Sequence, residues 1–357
     1  MDRVQSREEF HRLLRRERTR SDRNEQSFSL LVFETADTPF IRKLVRVLAR
    51  RKRQIDEIGW FDEQRLGVLL PYTSSRGART FVQHISLMLT GPRPPCTIYT
   101  YPGRWLPGES ADSGAGRVQR SAGPESNNDP EGVLILCKDA PRSLLVDPIP
   151  RWKRALDIAG AAIALLCLSP LLLLVTIIIK AVSPGPVILK QKRIGRNGVE
   201  FDMWKFRTMR HDTDNSMHQR HLDSLIHSDA CLTKLDAQRD PRIIPFGNII
   251  RRSAVDELPQ LINVLRGEMS LVGPRPCMPY EARAYRRWQT ARFDAVPGMT
   301  GLWQVSGKNR TTFREMMHLD IAYARRQSFW LDLRILLKTA PAVAAELLKT
   351  PSGRESR

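Results

Sequence analysis

Two adjacent acids, Asp256 and Glu257, follow two adjacent arginines, Arg251 and Arg252, in the stretch RRSAVDELPQLINVLRGEMSLVGPRP. Leu258, Leu261, Ile262 and Leu265 recur at i, i+3, i+4 and i+7, one face of a helix. Pro259 is tolerated only in a first turn, so the spacing predicts a helix beginning near Asp256. Carboxylates placed there meet free N–H groups and the positive end of the helix dipole. An aspartate at such a place can simply cap the helix. With a second acid beside it and arginines before it, the same place can hold Mg2+ and a phosphate together. Gly273-Pro274-Arg275-Pro276 comes a few residues later. Pro274 and Pro276 fix the backbone on either side of Arg275. The segment is either a rigid turn or a guanidinium presented for bidentate phosphate recognition. A third cluster, VPGMTGLWQVSGK, reads as a shaped loop in which Trp303 lies at a bilayer interface or stacks on a base. Trp152 and Trp330 carry the same two readings, with interfacial anchoring preferred.

These groups need elements to place them. From Ile158 to Ile179 there are 22 residues without a charge, enough for a membrane helix. Ser169 and Pro170 divide that run, and proline removes a backbone hydrogen bond and kinks a helix. Both flanks are basic: Arg151, Lys153 and Arg154 before, Lys180, Lys190, Lys192 and Arg193 after. Basic flanks draw both ends to the cytoplasmic side. A helix that enters one leaflet and returns satisfies both facts; a straight span is the alternative. Downstream, PVILKQKRIGRNGVEFDMWKFRTM predicts a β-hairpin turning at Asn197-Gly198. Residues 211–240 are polar and read as helical or irregular.

Upstream, residues 1–101 predict a separate soluble α/β domain. Its order is helix, buried strand (FSLLVFET), amphipathic helix, hairpin and helix. Residues 102–150 read as a linker, flexible at least to 131, with GVLILCKD a last strand or a tether. The second region is expected over 151–345, its membrane segment over 155–180, with a tail at 346–357. The fold class is thus α/β (α+β), in a two-domain membrane protein. Of 357 residues, 41% are hydrophobic, which excludes global disorder. The net charge of +19 implies polyanionic partners. Anionic lipid explains it as well as nucleic acid does, and no nucleic-acid recognition motif is present. Five scattered cysteines without a C-x-x-C pair argue against a zinc knuckle or a disulfide framework. The start MDRVQSREEFHRLLRRERTR has no apolar run, so no signal peptide is expected.

From about Lys153 to Lys338 the motifs KRALDI, SP, PGPVILKQKRIGRNGVEF, WKFRTM, DPRI, RRSAVDELPQLINVLRGEMSLVGPRP, VPGMTGLWQVSGK and LDIAYARRQSFWLDLRIL follow in order. In these, just over half the chain resembles the bacterial sugar transferases, the monotopic phosphoglycosyl transferases. The resemblance implies transfer of a phosphosugar from a UDP-sugar to undecaprenyl phosphate at the inner membrane, with release of UMP. That is the first membrane step of exopolysaccharide, capsule, O-antigen or glycoconjugate synthesis. It implies Asp256 as nucleophile, forming an aspartyl-phosphosugar. Glu257 would help to bind Mg2+ or manage a proton. Arg275, between Pro274 and Pro276, and Arg251 would contact phosphate. Ser169 and Pro170 would break a re-entrant helix. Lys153 and Asp157 would form a juxtamembrane pair, with Lys153 at lipid headgroups. Both domains would lie on the cytoplasmic face. No catalytic motif is missing, so an active enzyme is expected; the alternative is an inert membrane scaffold recruiting later glycosyltransferases. Homo-oligomers and contacts with downstream glycosyltransferases stay open.

The N-terminal region resembles a degenerate diguanylate-cyclase-type (GGDEF) domain in the order of its helix, FSLLVF strand and LGVLLP hairpin. The signature glycines are absent from Gly59-Trp60-Phe61-Asp62-Glu63, so no cyclase activity is expected. The expected role is a folding or dimerisation module, with nucleotide sensing or partner docking as alternatives.

Overall fold

The computed structural model describes residues 4–34, 38–89, 95–102, 135–139, 145–209, 243–307 and 311–348. The chain forms two compact units, Met1–Asp147 and Pro148–Arg357. Most of the expected linker and the whole of the 211–240 stretch lie outside the described residues.

In the first unit, α1 (Arg7–Asn24), β1 (Phe28–Glu34), α2 (Thr38–Arg51), β2 (Glu57–Trp60), β3 (Arg65–Leu70), α3 (Ser75–Met88), β4 (Cys96–Tyr101) and β5 (Ile135–Asp139) follow in order. Their sheet is ordered β2-β3-β1-β4-β5. β1 is antiparallel to both neighbours and β5 runs parallel to β4, so GVLILCKD contributes a last strand. β1 is apolar nearly throughout because both of its faces are covered. Leu31 and Phe33 face Leu44, Leu48, Val82 and Ile85 of α2 and α3. Phe28, Leu30 and Val32 face Phe10 and Leu14 of α1, the period-two alternation of a strand. A capping box starts α1: Ser6 Oγ accepts from the Glu9 N–H, and Glu9 Oε2 accepts from the Ser6 N–H. Gly59 and Gly67 lie opposite each other in the β2–β3 hairpin. A Cβ at either would come within 2.5 Å of the Phe10 ring. These glycines therefore make room for an aromatic side chain of the protein itself.

The second unit opens with α4 (Arg151–Val182), one continuous helix with Pro170 inside it. The expected division into two helices is thus a proline within a single helix. Pro170 cannot donate to the carbonyl of Leu166, and Ser169 Oγ donates to that oxygen instead, at 2.8 Å. The serine satisfies the acceptor that the proline orphans. Ile163, Leu166, Leu173, Leu174 and Ile177 are exposed, so the middle of α4 presents an apolar surface. It is the one candidate membrane span among the described residues.

After α4, β6 (Ile188–Ile194) and β7 (Glu200–Phe206) form the expected hairpin, with Asn197 and Gly198 at positive φ in its turn. Then come α5 (Gly247–Arg252), α6 (Gln260–Arg266), β8 (Ser270–Val272), α7 (Pro279–Arg283), β9 (Gly298–Thr300), α8 (Leu302–Val305), α9 (Phe313–Arg325) and α10 (Phe329–Leu348). β8 and β9 pair in parallel. α10 runs to Leu348, past the expected start of the tail at 346. Ala161, Ala164 and Leu165 of α4 pack with Phe201, Met203, Leu261 and Val264. Farther along, Leu172, Val175 and Ile179 pack with Phe206, Ile244 and Ile250. Both halves of the helix thus rest on one hairpin and the segments beside it.

Lys153 and Asp157 do not pair with each other. Lys153 Nζ donates to Asp332 Oδ2 at 2.7 Å and to the Val272 carbonyl at 2.9 Å. Asp157 Oδ1 accepts from Ser270 Oγ at 2.8 Å and from the Leu271 N–H at 2.9 Å. Four-residue spacing would let the two side chains meet, but each finds better-buried partners on β8 and α10. Lys153 is 1% exposed, so the expected headgroup anchor is a buried ion pair. Removing one partner of such a pair strands the other charge, at a cost of about 3–5 kcal/mol. Lys153→Met is therefore expected to lower the melting temperature of the detergent-solubilised protein sharply. Lys153→Met combined with Asp332→Leu should recover part of the loss. Equal melting of Lys153→Met and wild type would refute this.

Candidate active site

Asp256 and Glu257 lie in a 3-10 turn, Val255–Glu257, rather than in the first turn of the following helix. α6 starts only at Gln260, with Pro259 at its cap. The expected start near Asp256 is corrected by the turn's geometry. Ala254 takes a left-handed conformation, and the Leu258 N–H bonds back to the Val255 carbonyl at 3.2 Å. The helix has no side-chain cap, so capping is not what the Asp256 carboxylate does. The apolar face expected from the sequence is present: Leu261 is buried, and Leu258 and Leu265 pack on the same cluster.

α6 and its turn are held at three places. Arg154, in the first turn of α4, donates to the carbonyls of Val264 and Leu265, both at 2.6 Å, at the helix C-terminus. Asn263 is buried and replaces a strand neighbour for β7. It accepts from the Trp204 N–H at 3.0 Å and donates to the Asp202 carbonyl at 2.7 Å. Val255 packs against the Val175 and Ile179 cluster. The acids are thus fixed between α4 and the β6–β7 hairpin.

Burial raises the Asp256 carboxyl to about 6, and the neighbouring charge of Glu257 pushes it the same way. Lys205 and Arg251 act in the opposite direction. Lys205 Nζ bonds Glu257 Oε1 at 3.0 Å. Arg251 has one guanidinium nitrogen, Nη1, buried without a hydrogen-bond partner. Lys205 was not among the residues singled out above, although WKFRTM was. Its signal is periodic: Phe201 and Met203 are buried four and two residues before it, and a lysine continues that face. Two adjacent carboxylates, one raising the proton affinity of the other, suit a cation, and one or two carboxylates with substrate phosphates are a common set for Mg2+. No cluster of three or more metal-ligating side chains occurs among the described residues.

Arg275 lies in a second cluster. Its Nη1 meets Glu281 Oε2 at 3.3 Å, and its side chain is 29% exposed. The neighbouring Arg193 is on β6 opposite Phe201, and Lys205 is four residues farther along β7. The two clusters are thus about 13 Å apart along one hairpin. Trp303 is buried, and its Nε1 donates to Thr311 Oγ1 at 2.7 Å. It is a core residue, neither an interfacial anchor nor a stacking platform. Trp330 is 73% exposed, and Trp152 packs edge-on against Phe329.

Residues 149–346 match the family model of the bacterial sugar transferases. Over 193 residues the chain is 44% identical to the galactosyl transferase CpsE of Streptococcus agalactiae, covering 54% of this chain and 42% of that protein. It is 39% identical over 191 residues to the exopolysaccharide production protein ExoY of Sinorhizobium fredii, covering 54% and 84%. A UDP-glucose:undecaprenyl-phosphate glucose-1-phosphate transferase of Caulobacter vibrioides is 40% identical over 212 residues, covering 55% and 73%. The chain therefore spans less than half of the streptococcal relative and most of the other two. Among solved structures, a GGDEF domain of DgcB from Caulobacter crescentus matches with a TM-score of 0.25 at 11% identity, over 27% of this chain and 70% of that one. A DGC protein from Thermotoga maritima matches with a TM-score of 0.26 at 16% identity, over 28% and 83%. Scores this low carry no argument about the first unit. The family match covers more than half of the chain and contains both charged clusters, and the chain belongs to the bacterial sugar transferase family.

Proposed function

We propose that this chain transfers a phosphosugar from a UDP-sugar to undecaprenyl phosphate through a covalent intermediate on Asp256. The observation that carries the reading is the half-buried Asp256, its carboxyl pushed up to about 6, beside Glu257, Lys205 and Arg251, within the stretch shared with relatives named as sugar-phosphate transferases. An Asp256 oxygen attacks the β-phosphorus. The bond from that phosphorus to the bridging oxygen breaks, and UMP leaves with the electron pair. A phosphate oxygen of undecaprenyl phosphate then attacks the same phosphorus, and the carboxylate of Asp256 is restored. An aspartate is a competent nucleophile once cations neutralise the target, and Lys205 and Arg251 stand where they can do so. Glu257 takes up or releases a proton of the acceptor phosphate, or shares Mg2+ with Asp256. Bound there, Mg2+ would lower the charge of the diphosphate. Arg275, farther along the hairpin, contacts the nucleotide end of the donor.

The same reading places both units on the cytoplasmic face of the inner membrane, with α4 re-entrant. Support comes from its basic flanks and from the packing of both its halves on one hairpin. A straight passage through a core about 30 Å thick would separate its ends. The first unit serves as a folding or dimerisation module without cyclase activity. The absence of the signature glycines supports this, and the faces of Gly59 and Gly67 are taken up by the Phe10 ring of the protein's own core.

Given undecaprenyl phosphate, Mg2+ and a panel of UDP-sugars one at a time, the solubilised protein should release UMP with one of them. Asp256→Asn should abolish release while staying membrane-bound. Silence of the folded wild type across the panel would favour the scaffold reading. Cysteine labelling from each side of the membrane should place residues 150 and 184 on the same face, and Pro170→Leu should favour opposite faces. Opposite faces in the native chain would contradict re-entrance. The dyad also sets a pH dependence. The Asp256 carboxyl titrates near 6 in the folded chain and near 4 unfolded, so the folded state binds more protons between these values. Stability therefore falls as pH rises through that window. Without divalent cations, Asp256→Asn should melt above wild type at pH 7.5, with the difference shrinking at pH 5. A difference independent of pH would contradict the shift.

A further inference from the structure

The Gly-Pro-Arg-Pro segment cannot build its own hydrogen-bond ladder, because Pro274 and Pro276 have no N–H to give. Its carbonyls remain acceptors and must be met from outside. Four in a row are met by four different donors. The Pro274 carbonyl accepts from the Gly298 N–H at 2.9 Å, and the Cys277 carbonyl from the Ile194 N–H at 2.9 Å. Between them, the Arg275 carbonyl accepts from Arg292 Nη2 at 2.6 Å, and the Pro276 carbonyl from Arg193 Nη1 at 3.1 Å. Both of these arginines are buried. Arg292 is further tied to Asp320 Oδ2 at 2.6 Å and to the Tyr285 hydroxyl at 2.7 Å. Arg193 faces Glu281, 4.0 Å away, the carboxylate that also holds the Arg275 guanidinium.

Burying two guanidiniums to fix one loop is a costly way to hold a backbone that apolar packing could hold. What the arrangement adds is direction. With the carbonyls of residues 274 to 277 each fixed, the Arg275 side chain projects from a backbone that cannot rotate. Of the three arginines in this cluster, only Arg275 reaches solvent to an appreciable extent.

We infer that Arg292 and Arg193 are positioning residues of the transfer reaction, acting through the backbone of Arg275 to aim its guanidinium at the donor. The inference rests on the proposed role of Arg275 and goes beyond it. Lysine at 292 keeps the charge beside Asp320 but cannot reach the Arg275 carbonyl and the Tyr285 hydroxyl together.

The test is a double-mutant cycle on UMP release by the full-length protein, with the melting temperature of each variant measured. Arg292→Lys should raise the KM for the UDP-sugar and lower kcat/KM about tenfold in the wild-type background. In an Arg275→Ala background the same change should cost less than about twofold, because nothing is left to aim. Equal losses in both backgrounds would overturn the inference and leave Arg292 a structural residue. If Arg275→Ala itself kept the wild-type KM, the reading of Arg275 would fail first and the inference with it. Should Arg292→Lys not fold, Asp320→Asn and Arg193→Lys carry the same cycle and the same outcomes.

Discussion

A long apolar helix has no preferred depth or rotation in a bilayer unless groups outside the hydrocarbon hold it. In this chain the holding is done within the first two turns of α4. Lys153 reaches α10 and the end of β8, Arg154 closes the C-terminus of α6, and Asp157 takes two donors from β8. Three charged side chains, satisfied on β8, α6 and α10, fix the helix against the layer that carries the acids. Loss of Lys153 leaves the Asp332 carboxylate buried without its counter-charge, and loss of Arg154 or Asp157 leaves backbone or hydroxyl groups without partners.

From that tie the position of the dyad follows. α6 is only seven residues long and cannot be stable alone. Arg154 holds one end, Asn263 sews its middle to β7, and the turn bearing Asp256 and Glu257 is left between Lys205 and the second half of α4. Partial burial of Asp256 and the charge of Glu257 beside it raise the proton affinity of Asp256. The result is a carboxyl group that is costly to ionise without a cationic partner. Such a group is suited to meeting a phosphate that arrives with its own counter-charge.

Much of this was legible in the residues. The hairpin announced itself through Asn197-Gly198, the face of α6 through its leucine spacing, and the order of the first unit through its alternating strands. What escaped reading were contacts between residues far apart in the chain. The four-residue spacing of Lys153 and Asp157 suggested a local pair, yet their partners lie more than a hundred residues away. Trp303, read as an interfacial or stacking group, is in the core because Thr311 supplies a partner for its indole. The start of α6 was misplaced because a 3-10 turn continues the same apolar spacing that a helix would show. Lys205 broke an apolar alternation, a signal that stands out once the strand is known.

The central claim is that the phosphosugar passes through Asp256. The direct measurement is mass spectrometry of the solubilised protein, quenched after mixing with its UDP-sugar and Mg2+ in the absence of acceptor. The account predicts a gain equal to one phosphosugar, located on the peptide containing Asp256 and discharged when undecaprenyl phosphate is added. UMP release without such an adduct, or an adduct on another residue, would contradict it.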